Sequence, residues 1–341
     1  MKKKSITNKF LFLVNSILAV ALLLFYLLPF ISPVSSPGIA VLSLFVPILF
    51  LANVFFAIYW IIRMKKQFAL SSLVIFLGFG YISTIYKFSD KNVILNDDIK
   101  VMTYNVRMFN HYGWNPDESI AQKTYDFINE KSPDILTIQE FYESESLQIS
   151  YPYQYIKTKS KANKFGLAIY SKFPIINGGS LDLKHSANNI IFADILKESD
   201  TIRVYNIHLE SLKINPEEEN FGEKDSDKLI GRMKTAFREQ AIQTQQFLEH
   251  QKQWKGKKIV CGDFNNTAFS WVYRQISKGK QDAFKVAGKG LGKTFNYWYP
   301  LRIDFILPDA DFDINHFKTY DVPYSDHYPI LARIKLKDSS Q

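Results

Sequence analysis

Three long apolar stretches open the chain. Phe10 to Ile31 is almost uncharged, as are Ile39 to Ile62 and Phe68 to Tyr86. Each has about the 20 residues that a helix needs to cross a bilayer, and none carries the polar stripe of a surface helix in a soluble protein. Pro33, Pro37 and Gly38 mark a short loop between the first two. The pattern predicts a membrane anchor over residues 1–91 with three transmembrane helices, at about 10–31, 39–62 and 68–86. The first stretch is longer than the apolar core of a secretory signal and ends in Leu28-Pro29-Phe30 without a small-x-small site, which argues against cleavage.

From residue 92 the pattern changes to short runs of period-two or continuous apolar character. They predict strands at roughly 99–106, 134–139, 165–171, 189–196, 202–208, 257–262, 302–307 and 329–336. Helical spacing interrupts them at about 117–131, 227–253 and 268–277. Many strands with a few covering helices predict two packed sheets flanked by helices. No internal repeat or low-complexity tract is present. The charged stretch Asn215 to Lys228, with Glu217-Glu218-Glu219, reads as a loop.

Charge sharpens the division. The formal net charge of the 341 residues is +9, from 42 basic and 33 acidic residues. Nine of the basic and three of the acidic residues precede residue 99, so the rest of the chain is only about +3. That falls short of the basic footprint of a dedicated nucleic-acid binder. Lys2, Lys3, Lys4 and Lys9 precede the first span, and Arg63, Lys65 and Lys66 lie between the second and third. The positive-inside rule keeps both in the cytoplasm and puts residues 87 onward outside, on the periplasmic or external face in a bacterial cell. Cys261, the sole cysteine, has no intramolecular disulfide partner and reads as a core thiol.

Candidate chemistry gathers at the strand ends. The apolar Ile259-Val260 runs into Cys261-Gly262-Asp263-Phe264-Asn265, where alternation along a strand would put Asp263 and Asn265 on one face. An anion beside a carboxamide suits holding a water next to a phosphate. Other strands run into Asn105, Glu140 and His208, Arg302-Ile303 precedes Asp304, and Ser325-Asp326-His327 stands just before the last strand. Sheet proteins collect sites from such ends, and this set of acids, histidines and an Asn suggests a metal-assisted hydrolase.

Asn105 in Tyr-Asn-Val, Glu140 in Ile-Gln-Glu, His208 in Ile-His-Leu, Gly262-Asp263-Phe264-Asn265, Arg302-Ile303-Asp304-Phe305 and Ser325-Asp326-His327 together resemble the endonuclease/exonuclease/phosphatase superfamily in order and spacing. The resemblance covers residues 99 to about 337 and implies a four-layer α/β sandwich. It also implies hydrolysis of a phosphoester with Mg²⁺ or Mn²⁺. By that likeness Glu140 is the principal metal ligand, helped by Asn105 and Asp326, while Asn105 and Arg107 contact the phosphate. Asp263 and Asn265 orient and deprotonate the attacking water. His208 and His327 contact the phosphate and move protons, with Asp304 or Asp326 orienting an imidazole. Arg238, at the start of Arg238-Glu239-Gln240-Ala241, is a further phosphate-binding candidate, with a helix-surface ion pair as the plainer reading.

Arg107 stands where apurinic endonucleases carry an Asp, and it matches the pancreatic-type deoxyribonucleases. A guanidinium cannot ligate a cation, which argues against a second metal there. Against a strict deoxyribonuclease, Asn163-Lys164-Phe165-Gly166 lacks the acidic partner those enzymes supply for the first histidine. Gly166 to Lys172 looks more like sphingomyelinases and phosphatases. Trp271, Tyr273, Tyr297, Trp298 and Tyr299 suit base stacking or lipid headgroups, with core packing the plainer reading. The expectation is a membrane-anchored phosphoesterase in residues 92–341, leaning to a small or lipid-linked substrate. A nuclease acting on extracellular nucleic acid is the alternative, and a catalytically silent binding module is another. The oligomeric state is open.

Overall fold

The computed structural model describes residues 6–144, 149–160, 162–184, 186–212, 226–297 and 299–337. Lys2 to Lys4, Glu217 to Glu219 and Trp298 lie outside the described residues. Residues 99–336 form two mixed sheets face to face. The first sheet has the strand order β10-β11-β1-β2-β4-β3, and the second β5-β6-β7-β8-β9. Their ranges are β1 Ile99–Asn105, β2 Ile135–Tyr142, β3 Tyr153–Thr158, β4 Phe165–Ser171, β5 Ile175–Ser180 and β6 Ile190–Lys197. They continue with β7 Asp200–His208, β8 Lys257–Asp263, β9 Asp304–Pro308, β10 Phe312–Thr319 and β11 Ile330–Leu336.

The inner faces meet through Val101, Ile135 and Ile169 of the first sheet and Ile191, Val204, Ile259 and Ile306 of the second. These are the apolar runs of the sequence, buried on both faces, which is why they read as continuous rather than alternating. Helix α6 (Ile120–Lys131) covers the outer face of the first sheet through Tyr125, Phe127 and Ile128. Helices α7 (Ser226–Lys252) and α8 (Trp271–Ser277) cover the second with Phe247, Val272, Tyr273 and Ile276. The result is the four-layer α/β sandwich. Strands β3, β5 and β10 were not expected. β3 and β5 hold no fully buried residue and stand at sheet edges, and β5 reads Ile-Ile-Asn-Gly-Gly-Ser, so neither carries a core-strand signature.

Ahead of the sandwich, two segments are long and apolar enough to cross a membrane, Ile6–Phe30 and Pro37–Ile62. Their main helices are α1 (Ile6–Phe25) and α3 (Val46–Ile62), with the short α2 (Pro37–Ala40) leading into the latter. The third expected span differs: it is broken into α4 (Phe68–Leu77) and α5 (Phe79–Ile85), bent by 78°. The break falls at Gly78, where any Cβ would lie 2.0 Å from the Tyr26 hydroxyl, so the Tyr26 ring occupies the space a side chain would need. Three helices are nonetheless tied together. Asn15 of α1 donates to Ser71 of α4 at 2.7 Å and accepts from Trp60 of α3 at 2.7 Å, and Ser71 donates to Asn53 of α3 at 3.1 Å. All four side chains are fully buried. Side-chain hydrogen bonds of this kind hold helices together where lipid removes the hydrophobic drive.

The two parts are not separated by a free tether. Lys87 and Gly290 exchange backbone hydrogen bonds of 2.9 Å, and Val93 donates to the Asn315 carbonyl at 2.9 Å. Phe269 packs among Ala19, Leu22 and Phe50 of the apolar helices, and Met233 and Phe237 of α7 pack on Ala40 and Leu44.

Candidate functional site

Register brings the charged residues together. His208 at the end of β7 pairs with Asp263 at the end of β8, which pairs in turn with Asp304 at the start of β9. The tight approach of β7 and β8 needs Gly262, whose φ is +131° and whose Cβ, if present, would lie 2.0 Å from the Ile207 carbonyl oxygen. On the facing sheet, Asn105 ends β1 opposite Gln139 of β2. The β2–β4 register then slips between Ile138 and Phe141, a bulge in which Glu140 takes a left-handed φ of 49°. The bulge turns Gln139 inward to bond Thr103 and Asn206 and leaves Glu140 facing the site.

Asn105 links the two sheets. Its carboxamide donates to Glu140 at 3.3 Å and to Asp263 at 3.1 Å. His208 Nε2 lies 3.6 Å from Asp263 and 3.9 Å from Glu140, and His327 Nε2 lies 3.6 Å from Asp263. His327 Nδ1 meets Asp304 at 3.0 Å, so Asp304 and not Asp326 is the carboxylate that orients an imidazole. Asp326 instead faces Arg107 at 3.4 Å at the half-open rim, where the guanidinium also stacks on Trp114.

Two candidates are placed otherwise than the sequence suggested. Asn265 does not share a strand face with Asp263, because β8 ends at Asp263 and Asn265 adopts φ 49°. Its backbone N–H donates to Asp263 Oδ1 at 2.7 Å, fixing the carboxylate, and its side chain donates to the Leu209 carbonyl. Arg238 is exposed on α7, and Gln240, about 200° further around the helix, is the one turned inward. The buried Gln240 side chain donates to the Asn265 and Glu210 carbonyls and accepts from Asn266. Sequence reasoning passed over it, although its place on the apolar stripe Met233, Phe237, Gln240, Ala241 and Thr244 was a signal.

Electrostatics separate the two histidines. Burial, reinforced by the charge of His327, pushes His208 down to about 3, so its imidazole is neutral. Burial works against a charged His327 too, but Asp304 and Asp263 outweigh it and hold its pKa well above the ordinary value. Burial and then Asp304 raise Asp263 above the usual carboxylate range. Burial and the nearby charge of Asp326 do the same for Glu140.

These residues fit a divalent cation. The buried His208 Nε2 has no hydrogen-bond partner among the described residues, and Glu140 receives one bond, from Asn105. Ligand atoms of Asp263, Asp304 and His327 also come within 4.8 Å of one another. Beside His208 opens a cleft of about 200 Å³, lined in part by Lys157, Lys159, Asn188 and Asn189.

Two facing sheets with carboxylates, an Asn and histidines at their shared edge define a hydrolase class built to act with a metal. The chain belongs to the endonuclease/exonuclease/phosphatase family, whose model matches residues 102–327, and that family consists generally of phosphoester-cleaving hydrolases. Residues 8–85 match a domain of unknown function. Among solved structures the chain is similar to a functionally unknown conserved protein from Enterococcus faecalis V583 (18% identity, 70% of this chain and 100% of that one, TM-score 0.53). It is also similar to the human Nocturnin catalytic domain with bound sulfate anion (16% identity, 74% and 98%, TM-score 0.53). A third is an endonuclease/exonuclease/phosphatase family protein from Bacteroides thetaiotaomicron (16% identity, 70% and 98%, TM-score 0.52). At these identities the likeness speaks for the fold. No curated protein matches the chain.

Proposed function

We propose that this chain is a membrane-anchored, divalent-metal-dependent phosphoesterase that hydrolyses a phosphomonoester or phosphodiester by attack of water, on a small or lipid-linked substrate. The observation that carries the reading is the meeting of Asn105, Glu140, His208 and Asp263 at separations of 3.1 to 3.9 Å across two sheets.

In this reading Asp263, its carboxylate fixed by the Asn265 backbone N–H, takes the proton of the attacking water. As the water oxygen bonds to phosphorus and the bond to the leaving oxygen breaks, the charged His327, steadied by Asp304, gives a proton to that leaving oxygen, and Asn105 and Arg107 contact the phosphate. The neutral His208 adds a further contact through Nε2. Glu140, with Asn105 and Asp326, would hold Mg²⁺ or Mn²⁺, hard ions that prefer carboxylate oxygen. When bound, such an ion offsets the charge that builds on the phosphate. The 3.0 Å contact of His327 Nδ1 with Asp304 suits the Asp263, Asp304 and His327 cluster to handling protons.

Residues 1–91 serve as the anchor, with α1, α3 and the bent α4–α5 pair as its three spans, and residues 92–341 as the catalytic part. Arg63, Lys65 and Lys66 lie between α3 and α4 and are exposed, which supports a cytoplasmic loop and a catalytic part on the periplasmic or external side. A nuclease acting on extracellular nucleic acid is the second reading, favoured by Lys157 and Lys159 in the cleft beside His208.

The test uses the full chain in lipid nanodiscs. Isothermal titration with Mg²⁺ and Mn²⁺ is expected to show binding that Glu140→Gln abolishes, since the change removes charge but keeps shape. Equal affinity in the variant would remove Glu140 from the site. Hydrolysis is then followed on a chromogenic phosphodiester, phospholipid vesicles and plasmid DNA with and without Mg²⁺. DNA nicking without lipid hydrolysis would put the second reading first.

A further inference from the structure

A second cleft, of about 50 Å³, lies where the anchor meets the sandwich. One wall is Ile48 and Leu51 of α3 with Ile85 of α5, and the other is Phe269, Leu291 and Leu301 of the catalytic part. Leu51 is 51% exposed, and it continues the belt of exposed apolar side chains, Phe55, Ile58 and Ile62, along the same helix. In a membrane that belt faces lipid, so the cleft opens sideways toward the acyl region.

The catalytic wall of the cleft is built from the strips of chain that build the site. Thr267 to Phe269 line the cleft and begin two residues after Asn265. Leu301 and Arg302 line it and lead into Asp304. Between them, Phe295 bridges to both Leu301 and His327, its ring 4.9 Å from the His327 ring. Thr267, the first of these lining residues, is four Cα-to-Cα steps from Asp263, no more than about 14 Å when extended.

We infer that this cleft admits the hydrocarbon chain of a membrane lipid whose phosphoester lies at Asp263 and His327. The inference rests on the phosphoesterase reading and narrows its substrate to lipids taken from the bilayer. A hydrocarbon suits the space, because the lining is mainly apolar, with Ile48, Leu51, Ile85, Phe269, Leu291 and Leu301 in it. Lipid tails are as apolar as leucine, so a chain passes from bilayer to cleft with little solvation penalty, while its phosphate stays at the polar edge.

Two measurements on the full chain in nanodiscs test it. In the first, phosphatidylglycerol carrying a photoreactive diazirine on one acyl chain is irradiated without Mg²⁺ and the adducts are mapped. Adducts at Leu301, reduced at least threefold by Leu51→Trp, are expected, because Leu301 belongs to no span and lines the cleft. Adducts confined to exposed positions of α1 such as Leu13 and Ile17 would overturn the inference. In the second, kcat/KM with Mg²⁺ is compared for long-chain and dihexanoyl phosphatidylglycerol and phosphatidic acid. Leu51→Trp and Leu291→Trp are expected to lower the long-chain value at least tenfold more than the short-chain value. Equal loss on both, or none on either, would overturn it. Hydrolysis of neither by the unaltered protein, with the chromogenic phosphodiester still cleaved, would overturn the lipid substrate alone. No cleavage of any of the three would refute the phosphoesterase reading, and the photolabelling would still decide whether the cleft takes lipid.

Discussion

Asp304→Asn isolates the contact that sets His327. The substitution keeps the shape of a side chain that is 2% exposed, and it leaves the backbone bond from Asp304 to Thr294 in place. What it removes is the charge facing His327 Nδ1 at 3.0 Å. A hydrogen bond to a charged group contributes about 1.5–3 kcal/mol net. At 1.36 kcal/mol per factor of ten, losing it from the transition state lowers kcat by about 10- to 150-fold. An Asn that turns its amide toward Nδ1 would impose the wrong tautomer and take the loss to the upper end. The assay is steady-state hydrolysis of a chromogenic phosphodiester at saturating Mg²⁺, with the Mg²⁺ dependence measured in parallel. The expected outcome is a fallen kcat, little change in KM and an unchanged Mg²⁺ midpoint. Asp326→Asn, at the rim near Glu140, should instead move the Mg²⁺ midpoint to higher concentration. A kcat within twofold of the parent for Asp304→Asn would refute the reasoning, and so would a shifted Mg²⁺ midpoint, which would make Asp304 a ligand.

Three further outcomes follow from the same geometry. Asp263→Asn and His327→Ala should each lower turnover by at least about 10²-fold with a much smaller effect on KM, and the double variant should lose less than the product, since the two act on one proton path; full activity in either would remove it from the chemistry. Gly262→Ala should destabilise the fold by more than about 2 kcal/mol, because a Cβ meets the Ile207 carbonyl oxygen and φ is +131°. Thermal melting should then drop by at least about 4 °C, and an unchanged melting temperature would contradict the close approach of β7 and β8. Reporter fusions after Arg63 and after Lys91 should mark opposite sides of the membrane, and the same side for both would mean that the α4–α5 pair does not cross.

Much of this architecture was legible because the strands that build the site are buried on both faces and stop at their polar residue, as β7 does at His208 and β8 at Asp263. What the chain does after the strand was not legible. Alternation placed Asn265 beside Asp263, whereas a left-handed residue turns the backbone and makes the Asn265 N–H, not a shared face, the link between them. The bulge that aims Glu140 is likewise invisible to a period of two. Asp304 and Asp326 are equivalent in sequence, and only the pairing of β9 with β8 brings one of them to His327. Arg238 drew notice by its charge, while Gln240, two residues on, holds the loop after Asp263 from beneath. The third apolar stretch reads as an unbroken span because its composition does not show the bend at Gly78, where the ring of Tyr26, some fifty residues away, fills the space of a side chain.

The loop from Asp263 to Phe269 makes the candidate site and the apolar helices one mechanical unit. Phe269 is 4% exposed and sits among residues of α1 and α3, with its ring 5.8 Å from that of Tyr81. Removing the helices to obtain a soluble enzyme would therefore strip the seat from beneath the loop that carries Asp263 and Asn265. It would also bare Met233 and Phe237 to water. Under the proposed anchoring, a bilayer whose thickness changes the tilt of α1 and α3 would act on the same loop, and bilayer thickness would become a variable of the proposed reaction's rate.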